Sequence, residues 1–389
     1  MRKFLNKRPR FIRVNTFLAF AALSGLPITT HAQDRKANFW GPTVVADNPP
    51  NYKDAGPDAR KLRPGTFGDD YPRAVELKGG SWLLVFTTYR QGDTGYRSNP
   101  KGGTVLVIMR SKDHCRTWKK MSTISDPGRD MDNGEMIELP NGDVLLATRS
   151  VRWQESYRLP VYRSSDSGQT WTRISDIDCN EGAPGALGNP DKGVYEPHFY
   201  RLSPTLLAVM YSTEKHVTET PSYSQTVAEK LSTDGGRTWG KEIWVASGDA
   251  ADRPGMPVWT RMKNGKYIVV YEVGGPKNFP IYSKVSDDGI HWEPGSGNPV
   301  PIEQGAPYLV GLSDGRLVLT SNNHRIGMSN DFGVTWKSVD DAFPGGPDEA
   351  FFSSIYQIDS DHLALMTGQL RPQGGRRLAI RIGTLPEEK

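Results

Sequence analysis

Apolar residues in this chain come in short runs, often alternating with polar ones and bounded by Gly, Pro, Asn or Asp, and extended helical spacing is missing. One unit recurs six times. Leu77-Lys-Gly-Gly precedes SWLLVFTTYR, Leu139-Pro-Asn-Gly precedes DVLLATRS, and Leu202-Ser-Pro-Thr precedes LLAVMYST. Met262-Lys-Asn-Gly precedes KYIVVYEV, Leu312-Ser-Asp-Gly precedes RLVLTSN, and Ile358-Asp-Ser-Asp precedes HLALMTG. Each unit predicts an apolar strand, a tight turn and a second apolar strand. A third strand, such as TVLVIMR or PIYSKV, follows. The units lie 46 to 63 residues apart, and four strands per period of about 50 residues is the signature of a propeller blade. The expected fold is all-β, a six-bladed β-propeller. The stretch FWGPTVV from Phe39 would close the ring against the last blade. Nothing marks a second domain within residues 33–389.

An octapeptide of the form S-x-D-x-G-x-T-W ends five of the units. It occurs as SKDHCRTW from Ser111, SSDSGQTW from Ser164, STDGGRTW from Ser232, VSDDGIHW from Val285 and SNDFGVTW from Ser329. Its Asp can accept backbone N–H groups, its Gly permits a positive φ, and its Trp can pack between sheets. The pattern resembles the Asp-box (BNR) repeat of sialidases and related propellers. In the fourth copy Val285 stands at the Ser position and His291 at the Thr position. A structural role is expected, because catalytic groups must converge on one point and outer turns point to separate places around a rim.

Composition changes this picture mainly at the N-terminus. Arg2, Lys3, Lys7, Arg8, Arg10 and Arg13 precede an apolar run from Phe17 to Ile28, and Thr30-His31-Ala32 suits a cleavage site. Residues 1–32 therefore read as a signal peptide of a secreted or periplasmic protein, too short in apolar length for a membrane span. The segment carries six basic residues and no acidic ones, so the chain's formal charge of +4 becomes −2 without it. That balance does not suggest nucleic-acid binding. Cys115 and Cys179 are the two cysteines; they could pair, and their spacing fits no metal site.

In a propeller the innermost strand of each blade lines a central channel, so polar residues at strand ends facing that channel are the candidates for chemistry. First strands begin with DDYPRA, DMDNGE, YEPHF, DRPGMP, QGAPY and SSIY, and second strands end near Tyr89, Arg90, Arg149 and Glu272. Two glutamates stand out. Glu196 opens the third blade, and Glu272 ends the apolar strand IVVYEVGG, where a carboxylate is costly unless it has partners or a wet channel. A pair of carboxyls, one protonated and one ionised, suits glycosidic bond cleavage; salt bridges to channel arginines are the plainer alternative. Tyr195 and Tyr271 adjoin the glutamates, and strand alternation assigns both to the core.

YPRAVEL at Tyr71, MDNGEMIELPNGDVLLATRS at Met131, YEP at Tyr195, DRPGMP at Asp252 and NGKYIVVYEVGG at Asn264 resemble, in order, motifs of glycoside hydrolase family 93. That family comprises six-bladed propellers acting as retaining exo-arabinanases on α-1,5-linked L-arabinan. The resemblance implies that Glu196 is the acid/base, protonated at rest, and Glu272 the nucleophile. It also implies that Arg73, Asp132, Asn133, Arg149 and Arg253 line the sugar pocket; Tyr356 would reach the site from the last blade. No metal or cofactor is called for. The expected partner is an oligo- or polysaccharide, without nucleic acid or membrane span, and a monomer is expected. Two other readings stay open. A sialidase would carry an arginine two residues before Pro72, where this chain has Asp70. A propeller that only binds carbohydrate would need no buried pair of glutamates. The exact sugar, and exo against endo action, are left open by the loops, GYRSNPKGG from Gly95 and EGAPGALGNPDKG from Glu181 among them.

Overall fold

The computed structural model describes residues 40–49, 68–88, 103–187, 192–322, 325–345, 349–372 and 374–385. All lie in the unit Asn38–Lys389; the other unit, Met1–Ala37, and with it the expected signal peptide, lies outside the described residues, as do Tyr89, Arg90 and most of the 95–103 loop.

Among the described residues, twenty-four strands form six four-stranded antiparallel sheets. Blade 1 is β2 Asp70–Glu76, β3 Trp82–Thr88, β4 Val105–Ser111 and β5 Lys119–Ile124. Blade 2 is β6 Asp130–Glu138, β7 Val144–Arg152, β8 Ser156–Ser164 and β9 Thr172–Glu181. Blade 3 is β10 Val194–Ser203, β11 Leu206–Thr213, β12 Thr226–Ser232 and β13 Ile243–Ala246. Blade 4 is β14 Arg253–Arg261, β15 Tyr267–Gly274, β16 Pro280–Ser286 and β17 Asn298–Gln304. Blade 5 is β18 Tyr308–Gly311, β19 Leu317–Thr320, β20 Ile326–Ser329 and β21 Lys337–Asp340. Blade 6 joins β22 Ser354–Gln357, β23 His362–Leu370 and β24 Arg376–Thr384 to β1 Val44–Asp47. Val44 pairs with Ile380, and Trp40 bridges to Gly383, so the closing strand comes from the N-terminal side. The six first strands contact one another in order, and β22 meets β2. The fold is a six-bladed β-propeller.

The first hairpins follow the repeated turns. Leu139 N–H donates to Asp143 O at 2.8 Å and Gly142 N–H to Leu139 O at 3.0 Å, and Gly142 has φ +86°. The same pair of bonds recurs at Leu77, Met262 and Leu312. Side chains that alternate off the second strands, Leu83, Val85, Leu145, Val209, Val269 and Leu319 among them, are fully buried between blades.

The octapeptides are the outer turns between third and fourth strands. At Asp234, Oδ1 accepts from Ser232 Oγ at 2.8 Å, Arg237 N at 3.0 Å and Thr238 N at 2.9 Å, while Oδ2 accepts from Thr238 Oγ1 at 2.6 Å. The Trp ties the turn to the preceding blade: Trp171 Nε1–H donates to Ser122 Oγ at 3.1 Å and Trp239 Nε1–H to Ser175 Oγ at 3.2 Å. The fourth copy corrects the sequence alignment. Ser286, not Val285, takes the Ser position, and Asp288 bonds Ile290 N, His291 N and His291 Nδ1. This turn is one residue shorter, so its Asp directly precedes its Gly, and His291 replaces the Thr hydroxyl. Cys115, at the Gly position of the first copy, is buried with φ +63°; Cys115 and Cys179 are both free thiols.

Candidate active site

Each inner strand enters the channel through a non-glycine residue of positive φ: Tyr71, Asn133, Glu196, Met256, Ala306 and Phe352, all between +44° and +59°. In blades 1 to 4 the ladder skips at these residues; in blade 3, for example, the register shifts between Tyr195 and His198. Such bulges re-aim a side chain or an N–H group and carry strain typical of functional backbone. Here the N–H groups point toward acidic or amide caps. Tyr71 N–H donates to Asp70 Oδ1 at 3.0 Å, Asn133 N–H to Asp132 Oδ1 at 2.7 Å and Phe352 N–H to Asn322 Oδ1 at 3.1 Å.

Two of these N–H groups hold the glutamates. Met256 N–H, on the first strand of blade 4, donates to Glu196 Oε2 of blade 3 at 2.6 Å, and Ser212 Oγ–H donates to the same oxygen at 2.7 Å. Ala306 N–H, entering blade 5, donates to Glu272 Oε2 of blade 4 at 2.5 Å. Gly255 separates the two: it pairs with Glu272 across the β14–β15 ladder, and a Cβ on it would lie 3.3 Å from Glu196 Oε2 and 2.5 Å from Gln225 Nε2. Close approach explains glycine here, since its φ is not in the left-handed region.

The glutamates share a cavity of about 330 Å³ with Arg149, Trp153, Tyr195, Glu214, Gln225, Arg253 and Phe279, a size suited to a small sugar unit. Both carboxyls are pushed up from the ordinary range, first by burial. Glu272 rises to about 7, helped by the neighbouring Glu196 charge and opposed by the Ala306 N–H. The Glu196 rise is opposed by Ser212, Met256 and Arg149. The charge of Asp132 adds to the Glu196 rise.

The other expected residues divide. Arg149 and Arg253 line the cavity, and each is neutralised: Arg149 Nη2–H donates to Asp132 Oδ2 at 2.9 Å, and Arg253 forms an ion pair with Glu214 while donating to Gln225 Oε1 at 2.9 Å. Asp132 stands behind the wall as the anchor of Arg149 and accepts Thr87 Oγ1–H at 2.5 Å. Asn133 is buried at its bulge and not in the cavity wall. Arg73 and Tyr356, expected in the pocket, instead brace the seam where the ring closes. Arg73 donates to Phe352 O at 3.0 Å and lies over the rings of Tyr71 at 4.0 Å and Tyr308 at 4.7 Å; the Tyr356 hydroxyl accepts Ala74 N–H at 2.8 Å. Tyr271 is core, fully buried. Tyr195 is core as well, buried against Trp153 and Tyr157, but its ring also borders the cavity and its hydroxyl donates to Glu214 Oε2 at 3.1 Å.

Glu214, Trp153, Gln225 and Phe279 were not anticipated. Glu214 was within reach, since it follows the second strand of blade 3 in LLAVMYSTE just as Arg149 and Glu272 end theirs. Trp153, Gln225 and Phe279 sit on loops whose inward turn no periodicity encodes. Among the described residues no group of three or more His, Cys, Asp or Glu is placed to hold a metal ion, and no helix is long and apolar enough to cross a membrane.

No family model matches the chain, and no curated protein sequence does. Solved structures do match. The GH93 α-L-arabinofuranosidase of Fusarium graminearum with arabinobiose superposes with a TM-score of 0.72 at 23% identity, over 89% of this chain and 98% of that one. The Penicillium chrysogenum α-L-arabinanase complexed with arabinobiose gives 0.71 at 22% identity with the same coverage. The NanB sialidase of Streptococcus pneumoniae gives 0.59 at 10% identity, over 82% of this chain and 68% of that one. The chain thus has the propeller fold that arabinan-cleaving enzymes and sialidases share, and it superposes more fully on the former.

Proposed function

We propose that this protein is an exported glycoside hydrolase that releases sugar from the ends of α-1,5-linked L-arabinan or a related plant-type polysaccharide, with retention of configuration. The observation that carries the reading is the pair Glu196 and Glu272, supplied by adjacent blades to one cavity and each fixed by an N–H of the next blade. The arabinobiose bound by the fungal structural neighbours supports the substrate class.

Near neutral pH the pair carries one proton, because two adjacent carboxylates in a desolvated cavity resist joint ionisation. In the reactive form that proton is on Glu196, and positive charge developing at the anomeric carbon favours an ionised Glu272. Glu196 then protonates the departing glycosidic oxygen while a Glu272 oxygen bonds to the anomeric carbon. Water, deprotonated by Glu196, cleaves the resulting ester and restores both groups. Arg149 and Arg253 reach the substrate with their charge already balanced by Asp132 and Glu214. This suits neutral sugar hydroxyls better than a sialic acid carboxylate, and it is the reason the sialidase reading ranks lower.

The test is hydrolysis of linear arabinan, debranched pectin and sialyllactose. Glu196→Gln and Glu272→Gln should each lower kcat by about 10²–10⁴-fold with folding intact. Azide should restore turnover in Glu196→Ala with a retained glycosyl azide, and in Glu272→Ala with an inverted one; the opposite products would exchange the two roles. A wild-type protein that binds these glycans and cleaves none is a binding module instead.

A further inference from the structure

Outside the cavity one cluster of rings is left partly open. Trp244 on β13, the outermost strand of blade 3, is 38% exposed. Its ring meets His216 at 4.6 Å and Tyr223 at 5.1 Å. Both partners belong to the β11–β12 connection, residues 214–225, which is fixed in place. Tyr223 N–H donates to His216 O at 3.3 Å, Ser222 Oγ–H to Val217 O at 2.7 Å and Ser224 N–H to Ala250 O at 2.9 Å. The His216 ring is clamped between Glu219 at 2.7 Å and Glu242 at 2.5 Å, two carboxylates that hold its pKa above the usual value. The loop's two ends are Glu214 and Gln225, both in the cavity wall. A rigid aromatic ledge with a polar rim thus leads from the cavity to the outer edge of the blade.

We propose that this ledge, Tyr223 and Trp244 with His216 behind them, is a second carbohydrate-binding site that holds the polymer beyond the sugars in the cavity. The inference rests on the proposed hydrolase reading for its ligand. The cavity admits only a sugar or two, so the rest of a polysaccharide must run out over the surface. The exposed Trp244 ring, with the half-buried Tyr223 edge-on beside it at 87°, offers the apolar C–H face of a sugar a flat surface at little conformational cost, and the carboxylate rim offers acceptors to its hydroxyls.

The experiment compares kcat/KM on linear arabinan and on arabinobiose for wild type, Trp244→Ala, Trp244→Phe and Tyr223→Ala, together with retardation in gels containing linear arabinan. The ratio of polymer to disaccharide kcat/KM should fall about five- to tenfold in Trp244→Ala and Tyr223→Ala through KM, with Trp244→Phe between them and wild type. An unchanged ratio overturns the ledge. If wild type cleaves neither substrate, the hydrolase reading fails, and retardation decides the ledge alone: loss of retardation in Trp244→Ala supports it, whereas an unretarded wild type or an equally retarded variant refutes it.

Discussion

Two repeated features divide this molecule. The outer octapeptide turns repeat as sequence, while the positive-φ entries of the six inner strands, bulged in blades 1 to 4, repeat as backbone. Each octapeptide closes on its own side chains: Ser and Asp recur in all five copies, with Thr in four and His291 in the other, because these side chains make the turn. The inner-strand entries share a positive φ at Tyr71, Asn133, Glu196, Met256, Ala306 and Phe352, yet no side chain recurs at that position. The N–H groups of Tyr71, Asn133, Met256, Ala306 and Phe352 are met by Asp70, Asp132, Glu196, Glu272 and Asn322 respectively. Where side chains build the motif they are held constant; where backbone builds it they are free to become catalytic. The rim spends its acidic residues on stability, and the channel places two of them for chemistry.

Four changes would break or sharpen this contrast. Gly255→Ala puts a Cβ against Gln225 and Glu196 and should lower kcat/KM about 10–100-fold with little change in Tm, since small displacements of a reacting group are costly; a fully active variant would show that Glu196 need not be held so closely. Glu272→Gln should act oppositely on the two properties, losing activity yet gaining stability over wild type by roughly 1–3 kcal/mol above pH 7. The sign follows from a folded pKa of about 7, above that of the unfolded chain: wild-type stability is fully present below the unfolded value and declines as pH rises through about 7. Denaturant titrations at pH 5 and 8 measure it, and an equal difference at both would refute the buried-carboxyl cause. Asp234→Ala removes four accepted hydrogen bonds at the rim and should cost about 1–3 kcal/mol with kcat/KM unchanged. The smallest effect is acid sensitivity of the rim. Hydrogen bonding to the Thr beside each holds Asp166 and Asp234 at about 2, so their contribution is present above the unfolded carboxylate pKa and is lost between about pH 4 and 2. Double Asp→Asn variants should flatten that part of the stability curve.

Much of the fold was legible because a propeller repeats its local rules. Six repeated turns, four of them with Gly, announced six hairpins, and Phe39–Val45 announced the closing strand, of which the structure describes the part from Trp40. The octapeptide was misaligned in the fourth blade because a one-residue deletion leaves the letters nearly in register while the hydrogen bonds move from Asp287 to Asp288. Glu196 and Glu272 were legible as strand-end carboxylates, and Glu214 could have been found by the same rule. Tyr195 is core as alternation assigns it, but its place at the cavity edge was not legible, because alternation assumes an unbroken ladder and a bulge inserts one residue.

The sequence by itself determined the number of blades, the outer turns and the strands on which the two glutamates lie, because turn chemistry and period-2 patterning act between residues close in the chain. Only the tertiary structure decided that Met256 and Ala306 hold those glutamates, that Arg73 and Tyr356 brace the seam, and that burial pushes both carboxyls up. Each of these depends on groups from different blades or strands meeting in a desolvated channel, at separations along the chain that local pattern does not encode.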